Sequence, residues 1–298
     1  MARSAFADSL TEVTEIRARE PGRVAALLAA RRTRPTLPAD GRLMLLACDH
    51  PARGALAVRG REDAMADRGD MLARVRTALG RPGVDGLLAT ADVLDDLLLL
   101  GALEDKVVIA SMNRGGLLGS AFEADDRMTA YDVRTVVEAG FNGAKMLLRV
   151  DLDDPASVVT LETCARAVTE LSRAGLLAMV EPFLSRRVGG KLVNDLSPEA
   201  VTRAVHIAQG LGASSAYTWM KLPVVPDMAR VMAATTLPTL LLGGDPTARP
   251  DETYAEWAKA LALPPVRGLV VGRALLYPPD DDVEAAVDTA VSLVRGVA

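Results

Sequence analysis

The chain has 298 residues, of which 50% are hydrophobic and 24% charged, and its formal net charge is −5. One large hydrophobic core can therefore form without a membrane environment or long disordered regions. Acidic and basic residues are mixed along the chain and aromatic residues make up only 3%, so the composition excludes the basic stripe and the stacking residues of a nucleic-acid-binding protein.

Short apolar runs alternate with longer amphipathic stretches along the chain, a pattern typical of repeated βα units. The predicted strands are Leu43–Cys48, Asp85–Thr90, Lys106–Ser111, Gly143–Arg149, Leu176–Glu181, Tyr217–Leu222, Thr239–Gly243 and Gly268–Gly272. These runs lack polar–apolar alternation, as expected for strands that are covered on both faces. Eight such strands close a barrel, so we predict an α/β fold, a (β/α)₈ TIM barrel.

Amphipathic stretches between these strands predict the helices. They are Ala64–Leu79, Asp126–Glu138, Pro155–Ala174, Pro198–Leu211, Tyr254–Ala262 and Asp281–Arg295. Phe6–Arg31 predicts an additional N-terminal helix ahead of the first strand. We expect a single domain over residues 1–298, with a helical extension over 1–40 and the barrel over 41–298.

Cysteine and histidine are scarce. Cys48 and Cys164 are far apart and lack a paired spacing, so both are expected to be buried, reduced and structural. His50 and His206 are too few for a histidine-built zinc site, and neither a metal nor a cofactor is expected, although carboxylates alone can hold magnesium. The N-terminus lacks the apolar stretch of a secretory signal and no later span has membrane length, which predicts a cytoplasmic protein.

Polar residues at the carboxyl ends of predicted strands deserve a functional hypothesis, because those ends build the active site of such barrels. Lys221 ends the sixth strand within the apolar segment Trp219–Pro223. Burial lowers the pKa of a lysine, and a second cation from the fourth strand, Lys145, acts in the same direction. The neutral amine that results is a nucleophile toward a carbonyl carbon.

Two carboxylates accompany these lysines. Glu181 ends the fifth strand and Asp49 the first, so both are candidate proton-transfer groups for Schiff-base aldol chemistry. The alternative interpretation is that Lys221 and Lys145 simply pair with these two acids in a polar barrel core.

Glycines at the ends of the last two strands predict a phosphate site, because exposed backbone N–H groups favour an anion. These are Gly243, Gly244 and Gly272, with Arg273 adding a charge-assisted contact. Tight βα turns also use glycine for purely steric reasons.

Two further arginines, Arg149 and Arg114, are candidates to hold a second anionic group such as a carboxylate or another phosphate. His50 is expected to orient Asp49 or to bind substrate, whereas His206 is expected to be structural.

Three segments resemble, in the correct order, strands four, five and six of tagatose-bisphosphate aldolase: Asn142–Leu148, Val180–Leu184 and Trp219–Val224. The chain therefore resembles the metal-independent class I aldolases of the deoxyribose-phosphate and tagatose-bisphosphate aldolase superfamily. The resemblance extends over nearly the whole barrel, from Leu43 to Tyr277.

Carried over by position, this resemblance implies that Lys221 is the Schiff-base lysine, Lys145 the second active-site lysine and Glu181 the strand-five acid. The Cys48-Asp49-His50 run resembles the end of strand one in archaeal-type fructose-bisphosphate aldolases, where the aspartate assists catalysis. Those enzymes have tyrosine at the position of Lys145, and the segment Pro51–Gly54 is another departure.

An actinobacterial group of aldolase-like barrels associated with myo-inositol breakdown is more similar still. This similarity implies a small phosphorylated sugar as the partner, and cleavage of 2-deoxy-5-keto-gluconate 6-phosphate to dihydroxyacetone phosphate and malonate semialdehyde. It is also compatible with a homo-oligomer, because barrels of this superfamily often assemble.

Two other functions fit the same residues. One is a sugar-phosphate isomerase or epimerase that uses the carboxylates for proton transfer, and the other is a non-catalytic barrel that binds phosphosugars.

Overall fold

Nine strands occur in the computed structural model, which describes residues 2–244 and 249–296 and the side chains from residue 9 onward. They are β1 (Leu43–Cys48), β2 (Gly86–Ala89), β3 (Val107–Ser111), β4 (Gly143–Val150), β5 (Leu177–Val188), β6 (Lys191–Asn194), β7 (Thr218–Pro223), β8 (Thr239–Leu242) and β9 (Val266–Val271). All except β6 lie parallel in a ring of order β1-β2-β3-β4-β5-β7-β8-β9, and β9 pairs with β1. The predicted (β/α)₈ barrel is confirmed.

Helices surround this ring. They are α1 (Ala2–Arg19), α2 (Arg23–Ala30), α3 (Arg68–Gly80), α4 (Ala91–Leu99), α5 (Val133–Glu138), α6 (Ala156–Arg173), α7 (Pro198–Gln209), α8 (Met228–Met232), α9 (Pro250–Leu261), α10 (Arg273–Leu276) and α11 (Val283–Arg295). Aspartate or serine side chains accept a backbone N–H at the first turn of α3, α5, α7 and α11. None of the described helices is both long and apolar enough to cross a lipid bilayer.

Three predicted elements differ from the structure. The N-terminal helix is broken into α1 and α2, because Pro21 lacks the N–H that a continuous helix requires. The helix predicted over Asp126–Glu138 is limited to α5, since Asp126 is buried in contacts with another strand and Asp132 caps the helix. Strand β5 continues beyond Glu181 and forms an antiparallel hairpin with β6.

Apolar side chains from seven of the eight parallel strands fill the barrel interior. Its apolar residues are Leu43, Leu45, Ala47, Leu88, Val107, Ile109, Leu177, Met179, Leu240 and Val270, with Trp219 packed against them. A second and larger cluster lies between the strands and the helices. The polar carboxyl ends of the strands therefore rest on a rigid apolar layer that fixes their positions.

A buried acid holds the opposite, amino-terminal end of the barrel together. Asp85 immediately precedes β2, and its Oδ2 accepts hydrogen bonds from the N–H of Met44 on β1 at 2.7 Å and from Arg295 on α11 at 2.6 Å. Arg34 lies 3.4 Å from the other carboxylate oxygen. One side chain thus links two strands to the last helix.

We expect Asp85→Ala to lower the free energy of unfolding by about 3 kcal/mol, because two charged partners and a buried N–H lose their acceptor. Urea unfolding of the variant measures this change. Asp63→Ala removes an exposed aspartate and is the matched control. Equal stability of the two variants would contradict the prediction.

Candidate active site

Side-chain alternation along β5 and β7 determines which of their residues enter the barrel. Met179 on β5 belongs to the interior cluster and Trp219 on β7 packs against it. Because successive side chains point to opposite faces of a strand, Glu181 and Lys221, two positions further on, face the interior as well. Lys145 on β4 is fully buried and contacts Glu181 there. The Lys221 side chain therefore points into the barrel and not toward the surrounding helices.

The carboxylate of Glu181 bridges the two lysines. Lys221 Nζ lies 3.0 Å from Glu181 Oε1, and Lys145 Nζ lies 2.5 Å from Oε2. Lys145 is 0% exposed and Lys221 only 2%, so both amines depend on protein groups for their hydrogen bonds.

Asp49 forms the next layer of this network. Its Oδ2 accepts hydrogen bonds from Lys145 Nζ at 3.2 Å and from Ser111 Oγ at 3.1 Å, and it also pairs with the guanidinium of Arg114. The imidazole Nδ1 of His50 is 3.8 Å from Asp49 Oδ1. Four of the predicted site residues thus converge with Lys221 and Glu181 in one buried cluster.

Burial and neighbouring charges shift the pKa values of this cluster. For Lys145, burial and then Arg114 lower the pKa to about 8, although Asp49 and Glu181 act in the opposite direction. Burial raises the pKa of Glu181 and of Asp49, but the surrounding lysines and Arg114 lower both pKa values by more, and both acids are carboxylates at neutral pH. Burial also lowers the pKa of His50 well below its usual value, which leaves the imidazole neutral.

A cavity of about 360 Å³ opens above these residues, within the size range of small-molecule sites. Lys221, Glu181 and His50 line it, whereas Lys145 and Asp49 lie outside its lining. The remaining charged residues of its described lining are all arginines, namely Arg53, Arg114, Arg149 and Arg273. The cavity is therefore strongly cationic and exposes only one of the two lysine amines.

The predicted glycines form one wall of this cavity. Gly243, Gly244, Gly272 and Arg273 all line it, while Asp245, which follows them in sequence, lies outside the described residues. A Cβ atom on Gly272 would meet the carbonyl oxygen of Ala47 at 2.3 Å. Close packing alone thus requires glycine at this position, and its presence does not depend on an anion.

Arg149, which the sequence predicts to bind an anionic group of the substrate, binds acidic and carbonyl groups of the protein itself. Its guanidinium binds Asp126 through Nε at 2.8 Å and through a terminal nitrogen at 2.5 Å, and it also donates to the backbone carbonyl of Glu123 at 2.5 Å. Both acids lie in the segment between β3 and α5, which passes over the barrel mouth. Asn113, at the start of that segment, is fully buried and bonds the backbone of Leu147 in both directions. Arg149 therefore anchors the segment over residues 112–132 to β4.

Several cavity residues were missed by sequence reasoning. Arg53 follows β1, Phe183 lies on the extension of β5, and Asn194 ends β6 and accepts a hydrogen bond from Ser185 at 2.8 Å. The position of Arg53, four residues after Asp49 at a strand end, was the available signal. Phe183 and Asn194 depend on the β5–β6 hairpin, for which a loop was the simplest interpretation.

The other predicted residues lie away from the cavity. His206 is exposed on α7, where its ring contacts the amide of Gln209. Cys48 and Cys164 are buried free thiols, as predicted. In the described part of the chain, no group of three or more His, Cys, Asp or Glu side chains is arranged to hold a metal ion.

The fold defines the class of protein, a (β/α)₈ barrel whose architecture matches that of class I aldolases. An archaeal fructose 1,6-bisphosphate aldolase superposes with a TM-score of 0.67 at 20% identity, covering 92% of this chain and 99% of that chain. The Schiff-base-forming fructose-1,6-bisphosphate aldolase gives a TM-score of 0.67 at 21% identity, covering 91% and 99%. At these identities the likeness concerns the fold.

The chain belongs to the Cgl0159-like family, whose model matches residues 41–291. The crystal structure of Cgl0159 from Corynebacterium glutamicum (Brevibacterium flavum) is similar to it, with 55% sequence identity, a TM-score of 0.95 and coverage of 98% of both chains. No curated protein matches the chain.

We expect Arg149→Met to lower the free energy of unfolding by about 3–5 kcal/mol, because it leaves the buried Asp126 without its cation. Backbone hydrogen exchange over residues 112–132 should also accelerate. Denaturant unfolding and exchange mass spectrometry measure the two effects, with Arg134→Met as the control, since Arg134 is exposed and pairs with exposed Glu138. Unchanged exchange in that segment would argue against the anchoring role.

Proposed function

We propose that the protein is a class I aldolase that forms a Schiff base on Lys221. The observation that carries this proposal is the pair of buried lysines bridged by Glu181, of which only Lys221 lines the cavity. An amine that reaches the cavity, with a second amine behind it to accept a proton, is an arrangement suited to imine formation.

The chemistry proceeds through an enamine. The neutral amine of Lys221 adds to a ketone carbon, and loss of water from the carbinolamine gives an iminium ion. A base removes the proton of the hydroxyl group beta to that carbon, the carbon–carbon bond breaks, and its electron pair moves toward the iminium nitrogen. The aldehyde product leaves, the enamine carbon takes up a proton, and water hydrolyses the imine to release the ketone product and free Lys221.

Glu181 and Lys145 are proposed to move the protons in these steps. Glu181 contacts both amines, so a proton from Lys221 can pass through this carboxylate to the neutral amine of Lys145. A pKa of about 8 allows Lys145 to accept and return a proton near neutral pH. Glu181 also lines the cavity, which makes it the better placed base for the substrate hydroxyl.

Asp49 is proposed to support this pair from outside the cavity lining. It holds Lys145 and Arg114 in place through its buried Oδ2. His50 lines the cavity as a neutral imidazole, so it can both donate and accept a hydrogen bond with a substrate hydroxyl.

The substrate is proposed to be a phosphorylated keto-sugar or keto-sugar acid. The cationic lining favours an anionic ligand, and the wall formed by Gly243, Gly244, Gly272 and Arg273 offers a place for its phosphate. The specific candidate is 2-deoxy-5-keto-gluconate 6-phosphate, which carries both a phosphate and a carboxylate and would give dihydroxyacetone phosphate and malonate semialdehyde.

Borohydride reduction in the presence of dihydroxyacetone phosphate should attach the reduced ligand covalently to Lys221. Peptide mass spectrometry locates the adduct, and Lys221→Met should abolish it and lower kcat on the order of a thousand-fold or more. Lys259→Met, which removes an exposed lysine on α9, is the control. Sugar-phosphate isomerisation that survives Lys221→Met would favour the isomerase alternative, and tight phosphosugar binding without imine or turnover would favour a non-catalytic barrel.

The rate of imine formation should rise with pH through a midpoint near 8. Below that pH, Lys145 is protonated and cannot accept the proton of Lys221, whereas above it the neutral amine is available. Single-turnover trapping between pH 6 and 10 measures the profile. Lys145→Met should slow the reaction and remove this midpoint, and a midpoint that persists in the variant would assign it to another group.

A further inference from the structure

Arg53 reaches the cavity through a tight turn directly after β1. Pro51 starts a 3-10 helix over Pro51–Arg53, and Gly54 ends it with φ 76°, in the left-handed region that favours glycine. This turn folds the chain back over the barrel mouth, so the Arg53 side chain lines the cavity. Its backbone carbonyl accepts a hydrogen bond from Leu118 at 2.9 Å, which ties the turn to the segment between β3 and α5.

Arg53 has few contacts compared with the arginines beside it. Arg149 donates through Nε and one terminal nitrogen to Asp126 and to two backbone carbonyls, and Arg114 is paired with Asp49. Arg53 makes one long contact, 3.4 Å to Glu123 Oε1, which also lies 3.7 Å from Arg149. Its buried Nε has no hydrogen-bond partner among the described residues, and neither has the Nε of Arg114.

The charge around Arg53 is also poorly compensated. Burial, followed by the like charges of Arg149 and Arg114, lowers its pKa to about 10 despite the presence of Glu123. A buried guanidinium with an unpaired donor and two cationic neighbours is stabilised by an added anion.

Strand order places Arg114, after β3, and Arg149, near the end of β4, across the ring of eight from the glycines that follow β8 and β9. Arg53 follows β1, the neighbour of β9, and its side chain extends to this side of the cavity, where Glu123 Oε1 lies 3.4 Å from Arg53 and 3.7 Å from Arg149. Lys221 on β7 is two strands from β4 and two strands from β9. A ketone bound at Lys221 would therefore lie between two cationic regions.

We propose that Arg53 binds a second anionic group of the substrate, at the side of the cavity opposite the glycine wall. Arg114 and Arg149 add positive charge to this subsite, and Arg53, whose only described side-chain hydrogen bond is the long one to Glu123, supplies hydrogen-bond donors to the anion. The ligand class is thus a keto-sugar with an anionic group at each end, the second being a phosphate or a carboxylate. This inference deepens the proposed aldolase function and rests on it for the position of the reacting ketone.

Condensation of dihydroxyacetone phosphate with three aldehydes tests the proposal. Glyceraldehyde 3-phosphate carries a phosphate, malonate semialdehyde a carboxylate, and glyceraldehyde no charge. Arg53→Gln should lower kcat/KM for the preferred anionic aldehyde by about ten- to a hundred-fold, the range expected when a charged hydrogen bond is lost, and change that for glyceraldehyde less than about two-fold. The anionic aldehyde whose kcat/KM falls most in Arg53→Gln shows whether the second group is a phosphate or a carboxylate.

An exposed arginine in the segment between β3 and α5, Arg127, provides the control. Arg127→Gln removes one positive charge outside the cavity lining and should leave kcat/KM unchanged for all three aldehydes. If Arg53→Gln lowers kcat/KM equally for all three aldehydes, the role of Arg53 is structural. If kcat/KM does not fall for any of them, Arg53 does not contact the anion. Either result overturns the inference.

A binding measurement separates this inference from the aldolase proposal. In a Lys221→Met background, which cannot form an imine, Arg53→Gln should weaken fructose 1,6-bisphosphate binding about ten-fold or more and leave fructose 1-phosphate unaffected, as measured by calorimetry. Equal effects on the two sugars would overturn the subsite even if Lys221 is trapped by borohydride. Selective weakening without any borohydride adduct in the wild-type protein would support the subsite while the aldolase proposal fails.

Discussion

The site depends on one carboxylate placed between two buried amines. Two ammonium groups inside a barrel repel one another and are poorly solvated, so they need a shared counter-ion or the loss of a proton. Strand order supplies the counter-ion, because β5 pairs with β4 on one side and with β7 on the other. Glu181 on β5 therefore lies between Lys145 on β4 and Lys221 on β7.

The buried network leaves positive charge in excess. The innermost cluster has three cationic side chains, Lys145, Lys221 and Arg114, against the two carboxylates of Asp49 and Glu181. Deprotonation of one lysine or binding of an anion neutralises the excess, and burial, together with Arg114, lowers the pKa of Lys145 in the first of these directions. The remaining positive charge favours an anionic ligand in the cavity.

Local sequence pattern predicts most of the fold and the central cluster of the candidate site. The apolar runs predicted all eight barrel strands, and the polar residues at their ends predicted the cluster of Lys221, Lys145, Glu181 and Asp49. These predictions succeed because strand parity and strand order are properties of short segments and their succession.

The contacts that the sequence did not predict join distant segments. Arg149 lines the cavity and stays a predicted anion-binding residue, but Asp126, 23 positions earlier, also binds its guanidinium. The same contact prevents the predicted helix from starting at Asp126. Arg53 was passed over because only the turn after β1, packed against Leu118, directs it into the cavity. The hydrophobic periodicity of a single helix or strand cannot predict contacts between segments that are distant in sequence.

The structure distinguishes the two lysines by their access to the cavity, which the sequence alone does not show. Both lie on predicted strands among apolar residues, and residue type alone gives them equivalent roles. In the structure, Lys221 lines the cavity whereas Lys145 lies outside its lining, and Asp49 and Glu181 both hold the amine of Lys145. An amine fixed by two carboxylates away from the ligand can exchange protons but cannot reach a ketone carbon. Access to the cavity is therefore the ground on which the covalent role is proposed for Lys221, independently of any resemblance to other enzymes.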